Sequence, residues 1–217
     1  MLQAFTAGLL LITISELGDK TFFIAMCLAM RHSRRIVLAG AVSALAVMTV
    51  LSVALGQMVA LLPQPLIHYG EIGLFLVFGL KLLYDASQMS VVCGDRTLAA
   101  SCVPDNCAPE AEREAAAAIA QAEAKLTRRS PSTTYLKAFT LVFVGELGDR
   151  TQFATITLAA SYNPWGVTLG AIVGHTICTI IAVIGGRLVA KHLSERTVTA
   201  IGGLLFLIFA AVAWFEG

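Results

Sequence analysis

Two near-copies of one phrase carry the residues best suited to chemistry: Ser15-Glu16-Leu17-Gly18-Asp19-Lys20-Thr21 and Gly145-Glu146-Leu147-Gly148-Asp149-Arg150-Thr151. Each copy sits inside a long apolar run. Carboxylates within a hydrophobic span are costly, and by default they mark an ion or proton pathway. Residues three apart share a helix face, so Glu16 is expected to project with Asp19, and Glu146 with Asp149. Four carboxylates brought together would form an oxygen-rich site suited to hard divalent cations such as Mg2+, Ca2+ and Mn2+, whereas Zn and Cu sites more often recruit Cys and His. These four acids are the candidate metal ligands.

Lys20 follows Glu16 by four residues and Arg150 follows Glu146 by four, the spacing of an intrahelical ion pair. Four negative charges then face two positive ones, and the residue of two would be balanced by one divalent cation or by two protons. Protons and cations compete for oxygens crowded into a low-dielectric site, so proton-coupled export is the simplest mechanism. Gly18 and Gly148, between the acids, would let helices approach closely or let the backbone loosen and offer carbonyls. Thr21, Thr151 and Gln152 are secondary candidates as neutral oxygen ligands, although Ser and Thr in membrane helices often bond their own backbone. His175 is a candidate proton relay, set against the plainer reading of a hydrogen-bonded bundle histidine. No catalytic residue and no cofactor are expected, the cation being cargo and the protons coupling ions.

The elements that must hold these residues are membrane helices. A soluble domain carries about 25% charged and about 45–50% apolar residues, whereas this chain of 217 residues has 13% and 57%. Six stretches reach the roughly 20 residues needed to cross the hydrocarbon core: 4–29, 36–61, 66–89, 135–160, 165–188 and 196–215. The first is read as a retained helix, since it lacks a basic N-terminal region and carries Glu16 and Asp19 at its centre. Arg31, Arg34 and Arg35, the central segment, and Arg187, Lys191 and Arg196 make three basic connections, while Pro63-Gln64-Pro65 and Ser161-Tyr162-Asn163-Pro164 carry no Lys or Arg. The positive-inside rule then places the basic connections in the cytoplasm and both termini outside.

A constant shift of 130 residues lays Gly40-Ala41 on Gly170-Ala171, Thr49 on Thr179, Gly56 on Gly186 and Leu45 on His175. The expected fold is all-α: residues 1–90 and 135–217 as two three-helix repeats, joined by a polar linker over 91–134. Three spans is an odd number, so the repeats enter the membrane in opposite directions, and such inverted repeats place substrate near the midplane at their interface. The linker's run from Ala108 to Ala118 favours helix, with Pro109 at its start, and shows no apolar face of useful width, so a solvated helix is expected. Lys81 and Asp85 are expected to pair locally. Cys27 and Cys178 read as buried packing residues. Cys93, Cys102 and Cys107 fall in the linker, where disulfides are not expected; a regulatory metal site or redox switch is the alternative reading there.

The doubled Glu-x-Gly-Asp-Lys/Arg-Thr phrase, over 16–21 and 146–151, resembles the signature of the GDT-one group, also called uncharacterised protein family 0016, within the cation/calcium exchanger superfamily. The resemblance covers both three-helix halves and not the linker. It implies export of manganese, with calcium carried by some members, in exchange for protons, and it implies that Glu16, Asp19, Glu146 and Asp149 bind the cation. Nothing in the motif departs from the pattern. A bacterial plasma-membrane protein is expected, with the divalent ion and the bilayer as partners, no nucleic acid, and no indication of oligomeric state. A Ca2+/proton antiporter, a passive divalent channel and a membrane metalloenzyme are the rivals. The last would need a second catalytic constellation that the sequence does not offer.

Overall fold

The computed structural model describes residues 1–17, 19–88, 110–125, 130–185 and 195–216. Among them the regular structure is helical: α1 (Leu2–Glu16), α2 (Lys20–Arg31), α3 (Arg34–Val59), α4 (Gln64–Gln88), α5 (Glu110–Lys125), α6 (Pro131–Glu146), α7 (Arg150–Ser161), α8 (Pro164–Ile180, continued by a π turn over Ile181–Gly185) and α9 (Glu195–Glu216). Helices α3, α4, α8 with its π turn, and α9 are each long and apolar enough to cross a membrane. Their large side chains Val50, Leu80, Ile184 and Leu204 lie exposed, as lipid-facing residues do.

The runs 4–29 and 135–160, expected as continuous helices, are each cut in two at the repeated phrase. Gly148 adopts φ +79°, a left-handed conformation that costs a residue with a Cβ roughly 1–2 kcal/mol. Its neighbours Leu147 and Asp149 are extended. Leu17 and Asp19 are extended in the same way, and Gly18 lies outside the described residues. Periodicity of apolar residues carries on through the phrase, so it does not report the interruption that backbone conformation imposes.

Small residues set the packing. α1 runs along α8, α6 along α3, and α4 along α9. At the first contact a Cβ on Gly170 would collide with the carbonyl oxygen of Phe5; at the second, a Cβ on Gly40 would lie 2.7 Å from the carbonyl oxygen of Tyr135. α7 is pressed onto α3 where Gly56 meets Ile156 and Ala159, and Gln57 Nε2 donates to the Ala159 carbonyl at 2.7 Å. An aromatic cluster of Phe75, Phe78, Phe206 and Phe209 joins α4 to α9, and Phe153 of α7 lies tilted against Phe78 with ring centroids 6.2 Å apart.

Linker helix α5 is not the solvated element expected. Ala115, Ala116 and Ile119 are buried, and α5 packs against α2, where Arg31 and Glu123 form an ion pair at 2.8 Å. A stripe of alanines is narrow in apolar area, but it lets the helices approach closely enough to exclude water. Cys178 is a free buried thiol, whereas Cys27, fully buried on α2, is disulfide-bonded, which corrects its reading as a packing thiol. Its dry setting suits a disulfide as well as a thiol. Cys93, Cys102 and Cys107 lie outside the described residues.

Gly170→Val and Gly40→Val force a side chain into neighbouring backbone and are expected to destabilise the bundle by about 1–3 kcal/mol or more. Gly73→Ala, where a Cβ meets nothing within 4 Å, is expected to leave stability unchanged or raised. Thermal unfolding of the purified variants in detergent checks both.

Candidate cation site

Each break leaves a glutamate on one helix end and an aspartate on the next helix start. Glu16 and Glu146 are the last residues of α1 and α6, and Asp19 and Asp149 are the N-caps of α2 and α7. The two breaks meet, so that ligand-capable atoms of Glu16, Asp19 and Glu146 all lie within 4.8 Å of one another. Both glutamates are 3% exposed. The grouping arises from the breaks and not from the shared helix face that spacing suggested. Helix interruption also brings the negative carbonyl ends of α1 and α6 to the same place, a device by which broken membrane helices hold cations.

An aspartate at an N-cap usually bonds its own helix, but neither Asp19 nor Asp149 makes a side-chain capping hydrogen bond. Thr21 Oγ1 donates to Glu16 Oε2 at 3.3 Å, and Thr151 Oγ1 lies 3.2 Å from Glu146 Oε2 and 3.4 Å from Asp149 Oδ2. The motif threonines therefore serve the carboxylates, while Thr49, Thr155 and Thr179 bond the backbone one turn back, as membrane-helix threonines generally do. One oxygen on each member of the trio, Glu16 Oε1, Asp19 Oδ2 and Glu146 Oε1, is buried with no hydrogen-bond partner. Leaving a buried charged oxygen unsatisfied costs several kcal/mol in general. One cation among the three would satisfy all of them.

Asp149 stands beside this trio, not within it. Arg150 bridges it to the other half: Nη2 of Arg150 is 3.6 Å from Asp19 Oδ1, and Nε is 3.9 Å from Asp149 Oδ1. The expected intrahelical pairs, Lys20 with Glu16 and Arg150 with Glu146, do not form, because the break takes each base off the helix that its glutamate ends. Lys20 instead lines the large cavity described below. Gln152 Oε1, a secondary ligand candidate, accepts the Gly148 N–H at 2.7 Å and so holds the break in shape. His175 is 6% exposed, with Nδ1 3.8 Å from Glu16 Oε1. It adjoins the site from α8, as does Cys178, beside a small void that Glu16 also lines.

A cavity of about 860 Å3 reaches the breaks, where Asp19, Asp149 and Arg150 line its floor; Glu16 and Glu146 are not among its lining residues. Its walls include Gln88 at the end of α4, Glu114 on α5, and Val198 and Thr199 near the start of α9. Lys81 and Asp85 both line it and, contrary to expectation, form no ion pair with each other; an accessible pair at this spacing gains little from closing. A further buried carboxylate escaped the sequence reading: Glu71 on α4 accepts a hydrogen bond from Ser161 at the end of α7. A lone glutamate inside the run 66–89 was the available signal.

Residues 4–90 and 134–217 match the family described as divalent cation/proton antiporter GDT1. The chain is 54% identical over 214 residues to a GDT1-like protein of Synechocystis, covering 99% of this chain and 98% of the relative. It is 43% identical to GDT1-like protein 5 of Arabidopsis thaliana, covering 96% and 94%. To the chloroplastic PAM71-homolog of the same plant it is 39% identical, over 98% of this chain and 59% of the relative. No solved structure matches the chain.

Gly148→Ala places a Cβ at a left-handed position and is expected to cost about 1–2 kcal/mol of stability. Because the strain falls on the break, cation affinity is expected to drop along with it. Thermal unfolding with and without Mn2+ checks this, the variant showing a lower Tm and a smaller rise on adding the ion.

Proposed function

This chain belongs to the divalent cation/proton antiporter GDT1 family, and from that membership we propose that it exports Mn2+ from the cytoplasm in exchange for protons. The observation that carries the reading is the trio of carboxylates, two of them buried glutamates, drawn from both halves of the chain, each with a buried oxygen lacking any partner. Asp149 completes the site as the fourth acid, joining when Arg150 releases it. The donors are oxygens, which suits Mn2+; Ca2+ accepts the same donors and is the alternative cargo.

The chain crosses the bilayer six times, twice through the paired half-helices α1–α2 and α6–α7, with 1–90 and 135–217 as inverted repeats around the cytoplasmic linker. Equivalent contacts support the repeat: Gly170 meets Phe5 and Gly40 meets Tyr135, each pair related to the other by the 130-residue shift. Both termini face outward and the basic connections face the cytoplasm of a bacterial plasma membrane. The cavity then opens toward the cytoplasm, since it is walled by the end of α4 and the start of α9. On the opposite side α7 is sealed against α3 and α4 by Gly56, Gln57, Phe78 and Glu71. This is a cytoplasm-facing form, and moving α7 off α3 and α4 would open the site outward.

Protons and Mn2+ occupy the same oxygens by turns, so each transport step in one direction returns protons in the other. In proteoliposomes with an acidic lumen, Mn2+ added outside is expected to enter as the lumen becomes more alkaline, and reversing the pH gradient is expected to slow entry. Glu16→Gln and Asp149→Asn are expected to abolish both movements while the protein still elutes as a folded species. Entry of Mn2+ without proton movement would mark a passive channel, and abolition of Mn2+ uptake by equimolar Ca2+ would turn the assignment to calcium.

A further inference from the structure

Arg150 occupies an unusual position for a positive charge in a cation carrier. It sits on the floor of the cavity, between the two aspartates that the breaks present from opposite halves. Its contacts, at 3.6 Å to Asp19 and 3.9 Å to Asp149, are beyond the range of a good hydrogen bond, in contrast to the 2.8 Å pair of Arg31 and Glu123. The side chain is 36% exposed and lines the cavity, so it has open space on one side. A guanidinium does not lose its proton in proteins, which makes it a permanent counter-charge. Asp19 Oδ2, next to the oxygen that Arg150 approaches, is buried without a hydrogen-bond partner. The guanidinium thus screens the aspartates without satisfying them.

A divalent cation coordinating carboxylate oxygens at about 2.0–2.6 Å brings twice the charge to less than the present distance. It would outcompete the loose guanidinium for Asp19 and Asp149. The displaced side chain has the cavity to enter, and Asp85 and Glu114 line the same cavity to receive its charge. We propose that Arg150 is the internal counter-ion of the site: it bridges Asp19 and Asp149 while the site is empty, swings into the cavity when a divalent cation binds, and returns to help expel it. The proposal rests on the reading of the carboxylates as the cation site and adds the group that limits their affinity and speeds release.

The opposite expectation belongs to a merely structural bridge, whose loss would loosen the site and weaken binding. In proteoliposomes, Arg150→Gln is expected to lower KM for Mn2+ by about tenfold and to lower kcat, while Arg150→Lys, which keeps the charge, stays near the parental KM. A KM for Arg150→Gln that is unchanged or raised overturns the proposal. On the unmodified protein, phenylglyoxal labelling of Arg150, mapped by mass spectrometry, is expected to rise on adding Mn2+; protection or no change overturns it, whether or not the variants fold. Parental protein that neither binds nor moves Mn2+ would instead defeat the transport reading itself, so the two failures are distinguishable.

Discussion

Uncompensated negative charge in a low-dielectric bundle is the constraint on which the rest of this structure depends. Glu16 and Glu146 are almost fully buried, and Asp19 and Asp149 lie next to them. The chain supplies partners of its own: a threonine hydroxyl for each buried glutamate and a guanidinium between the aspartates that line the cavity. What it supplies is incomplete. Three carboxylate oxygens remain without a partner, a deficit that a bound cation would relieve.

Helix interruption is how the fold meets this constraint. An unbroken helix would have placed Glu146 and Asp149 one turn apart on one face, with the backbone between them sealed by its own hydrogen bonds. The left-handed Gly148 turns the chain instead, and Gln152 ties down the freed N–H, so that the acid at one helix end and the acid at the next helix start converge. Convergence across halves needs close backbones, and the glycines of α3 and α8 provide them. The two halves then differ in how tightly their second half-helices are held. α7 is clamped to α3 and α4, whereas α2 is backed by α5 and leaves a cavity between itself and the ends of α4 and α9. One sequence element written twice thereby occupies two environments, an asymmetry that a carrier with alternating exposure requires.

Much of this was legible in the chain because the signals were chemical. Acids within apolar runs pointed to the carboxylates that the two breaks bring together, and four long spans appear within a few residues of the expected positions. The breaks were not legible, because apolar patterning measures burial and does not register backbone conformation; Gly18 and Gly148 gave the only hint. Errors in pairing followed from that one omission. Lys20 and Arg150 were matched to glutamates by helical spacing that the break removes, and the part Gln152 plays in holding the break could not be foreseen without it. The docking of α5 was hidden for a different reason: Ala115, Ala116 and Ile119 offer little apolar area, and their value lies in allowing close approach to α2, which only the partner surface reveals.

The central claim is that a divalent cation and protons compete for one set of carboxylates. Calorimetric titration of the purified protein with Mn2+, in buffers that differ in protonation enthalpy, measures the protons released as the ion binds. The account predicts net proton release on binding, seen as a binding heat that changes with the buffer. Mn2+ binding whose heat is the same in every buffer, with no proton released, would contradict it.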